Sequence, residues 1–436
     1  MEWLPSAAVA FTAGCAILAV NGYKGRPDVV GIDLGTTYSV IALKTEYGVK
    51  VLRDEANRSL VPSMVHFGSG GAIHVGYAAE SFLETEPNHV IYNAKRYIGR
   101  TYDAPAVQEL EGKHGFAVVA NKSVSPSGNW FSLDVPGHQS AVSPETVGSY
   151  VLRHLLDIAY FNLGHRQITK AVVAVPAKFD TQQRRATIAA YTQANLKVVR
   201  IIEEPTAAAV AYGLDKKPDV NYILVYDFGG GTLDVSLLFV NKESVQVLHT
   251  HGDDELGGSD FDYCLTSWLD EQVSTAAGSQ EKLHEACGEE GYIQTVDSTS
   301  DAPPLCAPSY IRQLAESMKC SLSVNATVHE SCTAYFPGKG GPQDSPRCAP
   351  LQLTVERDSF HQRCSDLFDR VLSPVEALLK EINMDAAEVD EVVLVGGTSR
   401  IPRIRSLLSE YFGIDHLNTE IDPDLTVAIG AASIVD

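Results

Sequence analysis

Two segments of the sequence each place an acid and a turn rich in glycine and threonine between two apolar runs. They are Asp33-Leu34-Gly35-Thr36-Thr37-Tyr38 and Asp227-Phe228-Gly229-Gly230-Gly231-Thr232. Glycine has no Cβ, so such a turn lets backbone N–H groups approach phosphate oxygens closely, and the threonine hydroxyls add further donors. Two turns of this kind facing each other predict a clamp for a polyphosphate. The leading carboxylates suit Mg²⁺ held mostly through water.

A single turn of this type is equally typical of an ordinary β-hairpin. The pattern occurs twice, however, and a third double-glycine turn follows an apolar run at Gly396-Gly397. This repetition favours a nucleotide site. The first two turns match neither the Walker loop nor the Gly-x-Gly-x-x-Gly loop of dinucleotide folds. Taken alone, Lys95, Glu204 and Asp234 are also typical of a solvated surface.

The elements that must position these turns are strands alternating with helices, which predicts an α/β fold. Further strands are predicted at 171–176, 198–202 and 391–395, and helices at 181–194, from Pro402 onward and at 425–435. The stretch from Cys332 to Pro350 is rich in proline and glycine and predicts a loop or insertion. Because the two acid-and-glycine segments lie far apart, their similarity indicates two duplicated lobes rather than a short-period repeat array.

The composition is that of a globular protein, since 44% of the 436 residues are apolar and 20% are charged. The chain has 34 basic and 55 acidic residues, for a net charge of -21. Such an acidic surface disfavours binding to nucleic acid.

The N-terminal segment from Ala7 to Val20 is nearly all apolar or small. Its length fits the hydrophobic part of a secretory signal better than a membrane span of about 20 residues. No Lys or Arg precedes it, whereas Lys24 and Arg26 follow it, so if the segment were an anchor, the positive-inside rule would put the globular part in the cytosol. We predict a signal peptide or signal anchor at 1–22, and the alternative is a buried N-terminal helix.

Four segments together resemble the ATPase domain of the seventy-kilodalton heat-shock chaperone family. They are Gly31 to Ser39, Glu204 to Leu214, Asp227 to Asp234, and Val395 to Pro402. The resemblance covers the chain from about residue 28 to 436 and is greatest to microsomal members that consist of the ATPase core alone. It implies a duplicated actin-like, ribonuclease H-like fold with two lobes, each of two subdomains, around a nucleotide cleft. The implied boundaries are 27–216 for the first lobe, 217–421 for the second lobe with an insertion at about 330–350, and 422–436 for a C-terminal helix returning to the first lobe.

The resemblance also implies ATP or ADP with Mg²⁺ as ligands and a role for each motif residue. The implied catalytic residues are Lys95, Glu204, Asp227 and Asp234, and Asp33 and Asp227 would hold the metal through water. The residues implied to contact the nucleotide are Asp33, Gly35, Thr36, Thr37, Tyr38, Gly229, Gly230, Gly231, Thr232, Glu316, Lys319, Ser323, Gly396, Gly397, Arg400 and Asp424.

Several positions depart from the family pattern. Cys320 stands where an arginine usually stacks on the adenine, so we expect weaker nucleotide binding because a cation–π contact of roughly 0.5–2 kcal/mol is missing. Asp180 and Glu203 stand where asparagines are usual and add negative charge near the cleft. Arg184, which in chaperones belongs to the route to the peptide-binding domain, is expected to be a surface residue of a helix.

Six of the eight cysteines are crowded into one stretch of the second half of the chain. In an oxidising compartment this crowding predicts disulfides. We predict one or two among Cys306, Cys332, Cys348 and Cys364, with Cys320 free or paired. The spacings include no Cys-x-x-Cys pair and disfavour a zinc module of cysteines.

The sequence thus predicts an ATP-binding, slowly hydrolysing ATPase of chaperone type in the endoplasmic reticulum lumen or microsome, with lobe closure controlled by nucleotide. A peptide-clamping domain is not expected. The expected partners are the nucleotide and co-chaperones or exchange factors, with no nucleic acid, and with membrane contact only through an uncleaved N-terminal segment. One alternative is a nucleotide-dependent scaffold without significant hydrolysis, which Cys320 favours. The other is a sugar kinase, which the alanine-rich segment 204–214 disfavours.

Overall fold

The structure is a computed structural model that describes residues 28–83, 85–108, 110, 114–120, 129–133, 135–139, 141–241, 244–281, 283–287, 303–337 and 346–435. The segment predicted as a signal lies outside the described residues, as does the middle of the Pro/Gly-rich stretch.

The described residues form strands and helices in alternation, as predicted. The strands are β1 (Val29–Leu34), β2 (Tyr38–Thr45), β3 (Gly48–Val51), β4 (Val61–Pro62), β5 (Val65–Phe67), β6 (Ile73–Val75), β7 (Val90–Ile91), β8 (Val118–Ala120), β9 (Asn129–Ser132), β10 (Ala141–Val142), β11 (Lys170–Val175), β12 (Lys197–Glu203), β13 (Tyr222–Phe228), β14 (Leu233–Asn241), β15 (Ser244–Asp253), β16 (Thr327–Phe336), β17 (Arg347–Glu356) and β18 (Glu391–Val395). The α-helices are α1 (Tyr77–Glu80), α2 (Pro105–Gln108), α3 (Pro144–Leu163), α4 (Thr181–Gln193), α5 (Glu204–Ala211), α6 (Gly258–Ala277), α7 (Leu283–Cys287), α8 (Pro308–Leu322), α9 (Arg357–Arg363), α10 (Ser365–Phe368), α11 (Ser373–Glu381), α12 (Pro402–Phe412) and α13 (Thr426–Ser433).

The first large sheet has the strand order β12-β11-β1-β2-β3, and β4 pairs with β2. Strands β1, β11 and β12 run parallel, and β2 turns back antiparallel to β1 with Val40 opposite Asp33. Parallel strands end at a common edge of their sheet, where α/β proteins bind ligands. That edge carries Asp33, Val175 and Glu203, the last of which is followed directly by helix α5.

The second large sheet has the order β15-β14-β13-β18 and repeats this arrangement. Strand β18 runs parallel to β13, and β14 turns back antiparallel to β13 with Asp234 opposite Asp227. The two strand–turn–strand predictions are therefore confirmed. Each acid again lies near the carboxyl end of a strand that has a parallel neighbour.

Helices α5 and α13 lie between the two large sheets and are built mostly of small residues. A Cβ placed on Gly430 of α13 would lie 1.8 Å from the carbonyl oxygen of Ala207 in α5, so this close contact requires glycine. Val172 of β11 and Val225 of β13 are buried in the same apolar cluster as these helices. The cluster thus joins both sheets through one pair of helices.

Predicted elements agree with the observed β11, α4, β12, β18, α12 and α13 to within one or two residues. The loop prediction for Cys332 to Pro350 is wrong at both ends. Strands β16 and β17 form a two-stranded antiparallel hairpin that pairs from Thr327 with Glu356 to Phe336 with Arg347. Pro350 is accepted inside β17 because a strand with only one neighbour leaves half of its N–H groups without a ladder partner.

Three disulfides cross-link the part of the structure around this hairpin. They join Cys264 to Cys364, Cys287 to Cys348, and Cys306 to Cys332. The prediction of one or two disulfides among Cys306, Cys332, Cys348 and Cys364 is confirmed by one bond, but Cys348 and Cys364 pair with cysteines outside that set. Only the third bond joins two of the four cysteines chosen, because Cys264 and Cys287 lie far from their partners in sequence and reach them only through tertiary packing. Cys320 is free and exposed.

Within the described residues, no helix combines the length and the apolar character needed to cross a membrane.

The disulfide that closes the longest loop, Cys264–Cys364 with a separation of 100 residues, is the strongest test of this arrangement. We predict that replacing both residues by serine lowers the free energy of unfolding by about 2–5 kcal/mol, because the unfolded chain gains conformational entropy. Chemical denaturation without reductant measures the change. The matched control is Cys320→Ser, which removes a thiol but no cross-link and should leave stability unchanged. A double variant as stable as the control would contradict this disulfide.

Candidate functional site

The two glycine-rich turns lie against each other. A Cβ placed on Gly230 of the second turn would lie 2.6 Å from the Thr37 hydroxyl oxygen of the first turn, so glycine is needed for this approach. Arg96 reinforces the contact by donating a hydrogen bond to the carbonyl oxygen of Gly231. The structure therefore brings together the two segments that sequence analysis expected to face each other across a polyphosphate.

The second turn is held from behind by two other elements. Thr398 donates its hydroxyl to the carbonyl oxygen of Gly229 at 2.9 Å. Ser259, in the first turn of α6, donates both its N–H and its hydroxyl to the carbonyl oxygen of Gly230, at 2.8 and 2.7 Å. These bonds occupy carbonyl oxygens and leave the turn rigid. A rigid turn positions donors without an ordering cost when a ligand binds.

Lys95 and Glu204 form a largely buried ion pair beside the turns. The Lys95 Nζ donates to Glu204 Oε1 at 2.6 Å, and each side chain is only 13% exposed. Burial alone would lower the pKa of Lys95, but the neighbouring carboxylates of Glu204 and Asp33 outweigh it and raise that pKa. Lys95 therefore carries a positive charge in a fixed position, where it can stabilise negative charge on a phosphoryl group.

Asp33 and Asp227 lie beside this pair with too little positive charge to balance them. Burial raises the pKa of Asp33 to about 7, with Lys95 opposing the shift and Glu204 and Asp424 adding to it. Burial also raises the pKa of Asp227 well above its ordinary value, and Glu204, Asp234 and Asp33 raise it further. A hard divalent cation would remove this cost, because it supplies the missing positive charge to oxygen ligands.

The acids of the site fit a hydrated Mg²⁺ better than a directly ligated one. Among the described residues, Asp33, Glu204, Asp227 and Asp234 do not form a group of three carboxylates with oxygens within 4.8 Å of one another. Mg²⁺ keeps several of its waters in proteins and binds through one or two carboxylates together with phosphate. The donor set is thus compatible with the metal predicted from the sequence.

Sequence analysis did not identify Lys178 as part of this site. Its Nζ lies 2.8 Å from Asp234 Oδ1, and it also pairs with Asp254. Thr232 donates its hydroxyl to the other oxygen of Asp234 at 3.1 Å. Lys178 follows the carboxyl end of β11 by three residues. Because the carboxyl ends of parallel strands share one edge of the sheet, this position in the sequence could have indicated that Lys178 lies at the site.

Helix α8 faces the first turn from the second half of the chain. Glu316 accepts a hydrogen bond from the Tyr38 hydroxyl at 3.5 Å. Lys319 pairs with Asp262 at 2.6 Å and donates to the carbonyl oxygen of Gly258 at 3.1 Å, so it also supports the start of α6. Ser323 is the C-cap residue, directly after the last residue of α8. Asp262 was another residue that the sequence did not single out.

Cys320 lies next to Lys319 on this helix. Burial raises the pKa of the Cys320 thiol, and Asp424 is among the charges that act on it. Weaker nucleotide binding as a result of this cysteine stays a prediction.

The third glycine turn brings Arg400 and Asp424 together. Arg400 donates to Asp424 Oδ2 at 3.0 Å and also pairs with Asp422. A Cβ on Gly397 would lie 2.9 Å from Asp424 Oδ1, and Gly396 donates its N–H to the carbonyl oxygen of Pro423 at 3.1 Å. The two acids hold the guanidinium plane of Arg400 in place, which is a requirement for stacking on a base.

The residues that depart from the family pattern have structural partners. Asp180 caps the N-terminus of α4 by accepting the N–H groups of Gln182 and Gln183. Arg184 Nη2 donates to Glu203 Oε1 at 2.8 Å, and Arg184 also bonds the carbonyl oxygens of two residues after β11. Arg184 lies on a helix, as predicted, and its side chain is 28% exposed. Its pairing with Glu203 compensates the extra negative charge that Glu203 brings near the cleft.

The comparisons with known proteins identify this arrangement. Residues 29–436 match the family model described as Hsp70 protein. The chain belongs to the Hsp70 family. It is 37% identical over 429 residues to Heat shock 70 kDa protein 13 of Rattus norvegicus, 36% identical over 430 residues to that of Homo sapiens, and 35% identical over 430 residues to that of Bos taurus. Each alignment covers 93% of this chain and 87% of the relative.

Membership of the Hsp70 family carries the actin-like ATPase fold and a nucleotide-binding core of chaperone type. ATP or ADP with Mg²⁺ is the ligand set of this family. The two large sheets with duplicated hairpins and the contact between the glycine turns are the features of this chain that agree with such a core.

The raised pKa values of Asp33 and Asp227 predict that binding of Mg²⁺ with ADP is coupled to proton release. The metal needs ionised carboxylates, so affinity should rise as pH approaches the pKa of about 7 of Asp33, by up to about tenfold per unit for each proton released, and the raised pKa of Asp227 acts in the same direction. Calorimetry in two buffers of different ionisation enthalpy measures the released protons.

The control is ADP with a chelator in place of Mg²⁺, which corrects for titration of the nucleotide itself. An affinity for Mg²⁺ and ADP that depends on pH no more than the control does would show that these carboxyl groups are ionised before the metal binds.

Proposed function

We propose that the protein hydrolyses ATP slowly to ADP and phosphate and that its nucleotide state controls its partners. The observation that carries the proposal is the Lys95–Glu204 pair at 2.6 Å, placed beside two glycine turns in contact and close enough to Asp33 and Asp227 to act on their pKa values. Catalysis of phosphoryl transfer depends almost entirely on positioning and electrostatic stabilisation, and this arrangement supplies both.

Each residue of the cluster then has a distinct role. The backbone N–H groups and hydroxyls of the two turns bind the phosphates. Glu204 holds Lys95 in one orientation and keeps it protonated, so that the ammonium faces the charge that develops on the transferred phosphoryl group. Asp227 and Asp234 accept hydrogen bonds from the attacking water and orient it. Mg²⁺, held through water by Asp33 and Asp227, would supply positive charge to the phosphate oxygens.

We also propose that the two sheets belong to two lobes that close on the nucleotide. Support comes from contacts that link separate parts of the chain directly across the site. Tyr38 reaches Glu316, Arg96 reaches Gly231, and Lys178 reaches Asp234. A ligand that contacts both sides would favour the closed arrangement over an open one, as in other hinged domains. Such a change in shape is the means by which we expect co-chaperones or exchange factors to recognise the nucleotide state.

Single-turnover hydrolysis tests the enzymatic part of the proposal. We predict that Lys95→Ala lowers the rate by about 100-fold or more, because one preorganised charge that stabilises the transition state is lost. The matched control is Lys50→Ala, an exposed lysine on the edge strand β3, whose rate should equal that of the parent protein. Nucleotide binding of each variant is measured in parallel, so that a binding defect is separated from a catalytic one.

If the parent, Lys95→Ala and control proteins all bind ATP and hydrolyse it at the same background rate, the ATPase proposal fails. The nucleotide-dependent scaffold would then be the better description.

We further propose that the protein resides in the lumen of the endoplasmic reticulum. Three disulfides and the apolar segment 7–20 support this location, because disulfides persist in oxidising compartments. In sealed microsomes, we predict that the protein resists added protease until detergent opens the vesicles. Digestion in intact vesicles, with a luminal marker still protected, would contradict the proposal.

A further inference from the structure

A cluster of two histidines and one glutamate lies at the small three-stranded sheet β6-β5-β7. His66 is the middle residue of β5, Glu86 precedes the short helical turn that leads into β7, and His89 is the last residue of that turn. His66 Nε2 lies 3.0 Å from Glu86 Oε2, and His89 Nδ1 lies 3.2 Å from the same oxygen. Two imidazoles from distant positions thus converge on one carboxylate.

The separations of these atoms are compatible with shared ligation of one metal ion. A tetrahedral zinc ion with bonds of about 2.0–2.1 Å sets its ligand atoms about 3.3 Å apart. The three atoms all lie within 4.8 Å of one another, and among the described residues they are the one group of three potential ligands this close together. Imidazole nitrogen combined with carboxylate oxygen is a donor set that suits zinc and related transition metals better than Mg²⁺ or Ca²⁺.

The central ligand is held in place before any metal binds. The ring of His66 stacks on Phe82 with centroids 3.9 Å apart and planes inclined by 9°. The ring centroid of His74, in the neighbouring strand β6, lies 5.5 Å from that of His66. His66 is 1% exposed, and Nε2 makes its only polar contact in the described part of the chain. Glu86 and His89 are more exposed, at 42% and 28%, so an ion can enter from the solvent side. The site therefore combines a fixed inner ligand with an open outer side.

We propose that His66, Glu86 and His89 form a binding site for a divalent transition metal of the zinc class, with water completing the coordination. The ion would join β5 to the segment that enters β7. Because Lys95 follows that segment by only a few residues, the metal braces the part of the chain that delivers this lysine to the nucleotide site. The inference stands whether or not the protein hydrolyses ATP, since its geometry uses none of the residues of that site.

Titration of the full-length, tag-free protein with Co²⁺ and then Zn²⁺, without nucleotide, tests the proposal. The background variant is Cys320→Ser, which removes the exposed thiol as a competing ligand. We expect one Co²⁺ per chain with the intense visible absorption of a low-symmetry, four- or five-coordinate ion, displaced by one Zn²⁺. Calorimetry with Zn²⁺ gives the affinity directly, and thermal unfolding with and without Zn²⁺ should show a higher Tm for the metal-bound protein.

Two variants at the more exposed positions, Glu86→Gln and His89→Gln, should each weaken Zn²⁺ binding by at least about tenfold. Removing a residue that merely hydrogen-bonds to a metal ligand already lowers metal affinity by about tenfold, and these variants remove a ligand itself. The matched control is His416→Gln, which removes one member of an exposed histidine–glutamate pair with only two ligand atoms and should leave Zn²⁺ affinity unchanged. Circular dichroism confirms that each variant is folded.

Absence of the Co²⁺ absorption, or equal Zn²⁺ affinity in the parent, Glu86→Gln and His89→Gln proteins, would overturn the proposal. In that case the cluster is a hydrogen-bonded relay in which Glu86 accepts from both histidines. The result is independent of ATP hydrolysis, so failure here and failure of the ATPase proposal are distinguishable.

Discussion

The close packing of helices α5 and α13 is the constraint on which the site depends. Gly430 brings the backbone of one helix against the Ala207 carbonyl of the other, and both helices are buried in the apolar cluster shared by the two large sheets. A larger residue would separate the helices. Because each sheet carries its acids and glycine turn at the carboxyl edge of its strands, the distance between the sheets decides whether the two turns can meet.

Once the edges meet, the site is dominated by negative charge. Asp33, Asp227, Glu204 and Asp234 gather around Lys95 and Lys178, and burial penalises the ionised form of the two innermost acids. Such an arrangement is costly for the protein alone and becomes favourable with a cation and a polyphosphate, whose charges are of opposite sign. The charges of the site therefore favour binding of a metal–nucleotide complex over binding of either the metal or the nucleotide alone.

The regions away from this edge are stabilised in different ways. Around the β16–β17 hairpin, three disulfides link helices and strands that are distant in sequence. In the small sheet β6-β5-β7, aromatic stacking on His66 orders a histidine and glutamate cluster. The Arg184–Glu203 pair similarly satisfies the charge of Glu203, which the family pattern does not contain. These contacts stabilise parts of the structure that lie away from the nucleotide site.

The sequence by itself determined the local elements and the kinds of residue at the site. The apolar runs, the glycine turns and the proline at the start of α12 predict strands, corners and a helix because these features act over a few neighbouring residues. The resemblance to family motifs predicted roles for Lys95, Glu204 and the acids. Only the tertiary structure decided which cysteines pair, that Lys178 reaches Asp234, that Glu203 is neutralised by Arg184, and that His66 meets Glu86 and His89. Each of these contacts joins residues separated by many positions, and their distance depends on how whole strands and helices pack, which no local pattern encodes.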